Sequence, residues 1–280
     1  MDVLTQLTFI ERGVLAGIII GFIAPIVGAF LLVRRVSIIT ESISHITLAG
    51  ISAGVFIGTL GSWFTIVNPM YVGVLFALIG ALVTERLRTV YKHFQELAVP
   101  IILSTAIGMS AIFISLARTG YNEWYGYLFG SIVSVTISDL YFILLTAVSV
   151  LVIITLFYKE FISISFDQEF AKVSGIPLKT VNFMFALLTA LVISLSMKVV
   201  GILLVGALVV IPVATSIQVA RSFKQLVVYG IVFAQMAMLS GLFFSYQFSI
   251  ATGGMIVVMS LLILILILLI KKVQAKSRRA

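Results

Sequence analysis

Residues 13–33 read GVLAGIIIGFIAPIVGAFLLV, 21 consecutive positions without a charge. A helix needs about 20 such residues to cross a hydrocarbon core about 30 Å thick. The run exceeds the roughly 7–15 residues of a secretory h-region, and no Lys or Arg precedes Arg12 to form a basic n-region. It reads as a mature transmembrane helix rather than a cleaved leader. Gly17 and Gly21 form a GxxxG unit inside it, and Pro25 predicts a kink; both are architectural features.

Outward from this segment the pattern repeats. Nine apolar stretches have spanning length: 13–33, 37–60, 63–84, 97–117, 139–158, 180–197, 199–218, 225–245 and 250–270. Eight is the alternative count, because Asn68 and Pro69 interrupt the third stretch and only Lys198 marks a turn between the sixth and seventh. The expectation is an all-α polytopic transmembrane helix bundle, a single domain over residues 1–280. With nine spans and the N-terminus outside, 15 of the 18 Lys and Arg residues fall on the inner side. Arg12, Arg118 and Lys198 are left outside. The positive-inside rule therefore predicts an external N-terminus and an internal C-terminus.

Composition gives the same class. Hydrophobic residues make up 61% of the 280 and charged residues 10%, with mean hydropathy +1.25, whereas soluble chains carry about 25% charged residues. A soluble domain of this length lacks the interior to hide so much apolar surface. The absence of cysteine excludes disulfides and thiolate metal sites. The pI of about 9.8 does not signal nucleic-acid binding, because the basic residues are scattered through short loops. No phosphate-binding glycine loop, HExxH pair or Ser/His/Asp arrangement is present.

Two connecting segments stand out. Residues 120–138 carry Tyr121, Trp124, Tyr125, Tyr127 and Phe129, suited to an interfacial aromatic belt. Residues 159–179 form the longest polar stretch between spans, with Glu160, Asp167, Gln168, Glu169 and Lys172 followed by Gly175-Ile176-Pro177. Ser165 or Asp167 can cap a short helix there that Gly175 and Pro177 stop. Such a helix either docks on a partner or rests on lipid.

Only one span carries ionisable side chains well within its apolar stretch. Glu41 and His45 lie four apart and share a helix face, in a setting where an isolated charge costs several kcal/mol. Gly50, Gly54 and Gly58 form a packing seam roughly 140° around the helix from His45, and Ser52 lies about 20° from it. A carboxylate and an imidazole suit zinc or manganese, although two ligands do not close a site. The alternative is that Glu41 caps the helix and His45 hydrogen-bonds a neighbouring backbone. His93 reads as solvated in a loop, while Lys198 and Asp139 fall at span ends where snorkelling is the default.

Four blocks together resemble the zinc/manganese ABC importer permease family. They are Leu31-Leu32-Val33-Arg34-Arg35-Val36-Ser37 running into Glu41-Ser42-Ile43-Ser44-His45; Tyr127-Leu128-Phe129-Gly130; Ser165-Phe166-Asp167-Gln168-Glu169-Phe170-Ala171 through Gly175; and Met197-Lys198-Val199-Val200-Gly201 through Ile211-Pro212-Val213-Ala214. The resemblance implies a multi-pass cell-membrane permease, not itself an enzyme, that holds no permanent cofactor. It implies Zn2+, or alternatively Mn2+, as transported substrate, with the pattern closer to Gram-positive zinc members. Glu41 and His45 then line the path, Glu41 standing where the family usually has Asp. The implied partners are a second copy of the chain, cytoplasmic ATPase subunits and an extracellular solute-binding protein. Asp167, Glu169, Ala171, Gly175, Ile176 and Pro177 become the ATPase-coupling segment. A secondary carrier would show charges in more than one span. An intramembrane enzyme would need a further catalytic group, and a membrane scaffold leaves the buried pair unexplained.

Overall fold

The computed structural model describes residues 7–60, 68–91, 94–117, 121–131 and 134–277. His93, and Lys92, Arg118, Arg278 and Arg279 of the charge count, lie outside the described residues. Among the described residues twelve α-helices follow one another: α1 Phe9–Val33, α2 Ile39–Thr59, α3 Pro69–Val90, α4 Ala98–Ala117, α5 Tyr121–Phe129, α6 Ile137–Leu156, α7 Tyr158–Phe166, α8 Gln168–Val173, α9 Leu178–Val200, α10 Ile202–Ile217, α11 Phe223–Phe248 and α12 Thr252–Ser277. Eight of these are long and apolar enough to span a membrane: α1, α2, α3, α4, α6, α9, α11 and α12.

The ninth expected span is the shorter α10, 16 residues, about 24 Å at 1.5 Å per residue. Its start lies against Gly253, at the beginning of α12. At its far end Gln218 accepts a hydrogen bond from Lys271 Nζ at 3.1 Å. The 18 residues of α12 between those two contacts rise about 27 Å. α10 therefore runs alongside about two thirds of the 26-residue α12, which rises about 39 Å. Deep burial makes this workable, because protein rather than lipid surrounds it.

Two expected boundaries move. Asn68 and Pro69 start the third span instead of interrupting it: the Asn68 side chain accepts from the Met70 amide at 3.0 Å, and Pro sits at the first turn, where its missing N–H costs nothing. The helix then runs on to Val90, past Arg86 and Arg88. Between the sixth and seventh stretches, Lys198 lies inside α9 and the break comes at Gly201, with φ +86°. Gly201 packs directly on the backbone of Gly130, itself at φ +73°. A side chain on either would combine left-handed strain with overlap of the opposing backbone.

α1, α2 and α9 are the most enclosed spans and α12 the least. Phe30 of α1 sits at the centre, its ring against Tyr158, Phe161, Phe185 and Phe223 with centroids 4.9–6.5 Å apart. This cluster ties α7 to α1, α9 and α11. α1 stays helical through Pro25, and its Gly17 and Gly21 admit Met238, Leu242 and Gln235 of α11. Architecture is thus the use of that GxxxG unit.

Candidate translocation site and coupling face

The N-terminal half of α2 positions the candidate site. No side chain caps this helix, so Glu41 does not serve as its cap. Glu41 occupies the first turn, where the amide dipoles favour a negative charge. One turn on, His45 Nε2 stands 4.0 Å from Glu41 Oε2, too far for a hydrogen bond but close enough for both to contact one ion. Glu41 keeps 42% of its side chain exposed and His45 13%. His45 Nδ1 is buried and no protein group hydrogen-bonds it. Ser42 Oγ is likewise buried and unpartnered.

α10 shapes the other side of the carboxylate. A Cβ on Gly206 would stand 2.6 Å from Glu41 Oε1, so glycine there keeps the acid's space open. Gly206 carries no signal of its own, and no sequence spacing links it to Glu41, 165 positions away on another helix. Among the described residues, no group of three or more His, Cys, Asp or Glu side chains gathers to hold a metal.

The hydroxyl expected beside His45 is used elsewhere. Ser52 Oγ lies 2.7 Å from Ser110 Oγ of α4 and accepts from Trp124 Nε1 at 3.0 Å. It is a packing node between α2, α4 and α5. The aromatic segment is accordingly the helix α5, with Trp124 turned inward, Tyr127 buried, and Tyr125 and Phe129 exposed. The glycine seam is used as expected at two of three positions. Gly50 abuts Phe76 and Gly73, and Gly54 abuts Pro69, while Gly58 faces open space.

Lys198 and Asp139 do not snorkel. They form an ion pair joining α9 to α6, with Asp139 only 2% exposed. Asp139 also accepts from the Thr136 amide at 2.8 Å in a capping box.

In the polar segment, Asp167 caps α8 by accepting from the Phe170 amide at 2.9 Å. Gly175, φ +82°, ends it with the paired bonds Gly175 N→Lys172 O at 3.2 Å and Ile176 N→Ala171 O at 3.1 Å. This is a Schellman stop, which wants glycine at the left-handed position. Ala171 is fully buried and anchors α8, so it is no docking residue itself. Ile176 packs against the core and Pro177 leads into α9. Asp167 and Glu169 are exposed. The outward face is Phe166, Phe170 and Val173, exposed at 63%, 64% and 88%. Phe170 and Val173 lie i, i+3 on α8, the signal that sequence reading passed over, while Phe166 ends α7 and sets its ring against Phe223.

Comparison with known proteins places this arrangement. Residues 6–271 match the model of the ABC 3 transport family. The manganese transport system membrane protein MntC of Listeria monocytogenes is 27% identical over 263 residues, 94% of this chain and 91% of that protein. The high-affinity zinc uptake system membrane protein ZnuB of Haemophilus influenzae is 29% identical over 246 residues, 88% and 91% of the two chains. The solved structure of PsaBC from Streptococcus pneumoniae in complex with Fab superposes with TM-score 0.81 at 26% identity, over 95% of this chain and 93% of that one. The chain is a multi-pass cell-membrane protein and belongs to the ABC 3 transport family.

Proposed function

We propose that this chain is the metal-conducting permease of an ATP-driven importer, carrying Zn2+ along a path lined by Glu41 and His45. The observation that carries the reading is the unpartnered, buried His45 Nδ1 beside a half-exposed carboxylate inside a membrane helix. Relatives named for zinc and for manganese both support a divalent cation as substrate; imidazole as a donor favours zinc, and Mn2+ is the alternative. A second copy of the chain completes the ligand set, cytoplasmic ATPase subunits drive the cycle, and an extracellular solute-binding protein delivers the ion. The permease domain has its N-terminus outside and C-terminus inside. Single cysteines at positions 2 and 280, probed with an impermeant reagent on intact cells, test this: labelling at 280 alone would overturn the orientation.

α8 is the element that receives the ATPase. Phe170 and Val173 supply an apolar face held rigid by the Asp167 cap and the Gly175 stop, with Phe166 exposed beside them at the end of α7. The test is ATP hydrolysis by the reconstituted complex, measured with zinc and with manganese. Zinc is expected to stimulate more than manganese, and Phe170→Asp with Val173→Asp to abolish stimulation in either metal. Stimulation by manganese alone would reverse the metal assignment, and full stimulation in the double variant would move the ATPase contact off α8.

A further inference from the structure

At the end of the bundle that carries Arg34, a cavity of about 670 Å³ opens between the α1–α2 turn, the end of α3, and α7–α8. Among the described residues, Arg34, Arg35 and Arg88 line it against a single carboxylate, Glu85, a net of two positive charges. Glu85 is already engaged by Arg88 at 3.5 Å. Arg34 is half-buried. Its Nη2 donates to Asn182 Oδ1 at 2.5 Å and its Cζ stands 4.7 Å over the Phe185 ring. Both contacts orient the guanidinium and neither neutralises it. Among the described residues no carboxylate pairs with Arg34 or Arg35.

The backbone gives a second, independent observation. α1 ends in a Schellman stop, Arg35 N→Leu32 O and Val36 N→Leu31 O, both at 3.0 Å. The left-handed position of this motif normally takes glycine, yet here it holds Arg35 at φ +57°. Arginine thus holds a conformation that glycine would adopt without strain. The helix terminus contributes about half a negative charge, which cannot balance the cavity's guanidiniums.

We propose that this cavity binds a phosphate-bearing anion. Arg34, Arg35 and Arg88 supply the charged donors, and Ser165 and Gln168 complete the wall. Guanidinium presents a planar fork that matches phosphate oxygens in pairs, and the volume accommodates more than a bare ion. The phosphate comes from an anionic lipid headgroup or from a soluble phosphate compound. Because the site adjoins α7–α8, its occupant braces the same segment that carries the exposed face of α8.

The test uses the full chain purified in a neutral detergent, without metal, so its outcome is independent of the transport reading. Phosphatidylglycerol, phosphatidylcholine and inorganic pyrophosphate are titrated while thermal unfolding and bound mass are followed. Phosphatidylglycerol or pyrophosphate is expected to raise the midpoint, and phosphatidylcholine to do so much less. A shift with pyrophosphate identifies a soluble source; a shift with phosphatidylglycerol alone identifies the headgroup. Arg88→Gln and Arg35→Gln should each weaken binding about tenfold, the loss of one charge-assisted contact. Arg35→Gly separates backbone from side chain: it should unfold later than the parent without ligand and lose the ligand-induced shift. No shift with either anion, or an undiminished shift in Arg35→Gly and Arg88→Gln, overturns the site.

Discussion

His45→Ala is expected to abolish metal-dependent uptake and growth at normal expression. The loss should exceed the about 10–100-fold that removing a merely supporting residue costs a metal site. The reason is ligand number. One α2 offers a carboxylate and an imidazole 4.0 Å apart, and zinc favours about four donors in tetrahedral geometry. A two-fold pair of chains presents every surface twice, so two such helices near the axis would offer two Glu and two His. Glu41→Asp should retain more transport than Glu41→Gln, because charge matters more than reach. Zinc takes the neutral imidazole, so protonation competes with the ion and uptake should fall on acidification. His45→Asn and His45→Gln test the alternative: recovery of uptake in these would mean that a hydrogen bond, not a metal bond, is what the site needs. Full uptake by His45→Ala would remove the pair from the path.

Lys198→Met should destabilise the folded protein by about 3–5 kcal/mol, the cost of leaving one member of a buried ion pair uncompensated. Asp139, 2% exposed, would keep only its Thr136 contacts. Asp139→Asn combined with Lys198→Met should restore most of the loss, because removing both charges also removes the desolvation penalty. Thermal unfolding of the four proteins in detergent, read as a double-mutant cycle, measures this. Additive losses would show that the two side chains act separately. The pair clamps α9 to the start of α6 on the far side of His45 from α8. Its weakening should therefore reduce stability before it alters the chemistry at Glu41.

The helical spans and their approximate limits were readable because each solves a local problem. A span must satisfy its own backbone within about 20 apolar residues, and that requirement is written in consecutive positions. The Glu41–His45 pair was readable for the same reason, since i and i+4 share a face whatever else the chain does. Gly175 and Asp167 announced α8 through local cap chemistry, and the structure uses both. Where local signals compete, sequence reading misplaced the outcome. Lys198 looked like a turn and proved to be a partner for Asp139, while Gly201 made the turn.

Sequence alone determined what each segment must do to live in lipid: form helices, gather most basic residues towards the connections, and place Glu41 and His45 on one face of α2. It could not determine which segments meet, because apolar helices are interchangeable to lipid and only shape selects their neighbours. Tertiary structure decided that Gly206 leaves room for Glu41 and that Ser52 serves Ser110 and Trp124. It also buried Ala171, turned Phe170 and Val173 outward, and brought Arg34, Arg35 and Arg88 around one cavity. Each of these depends on contacts between residues tens of positions apart, or on which side of a helix its neighbours cover, and both are settled only when the helices pack.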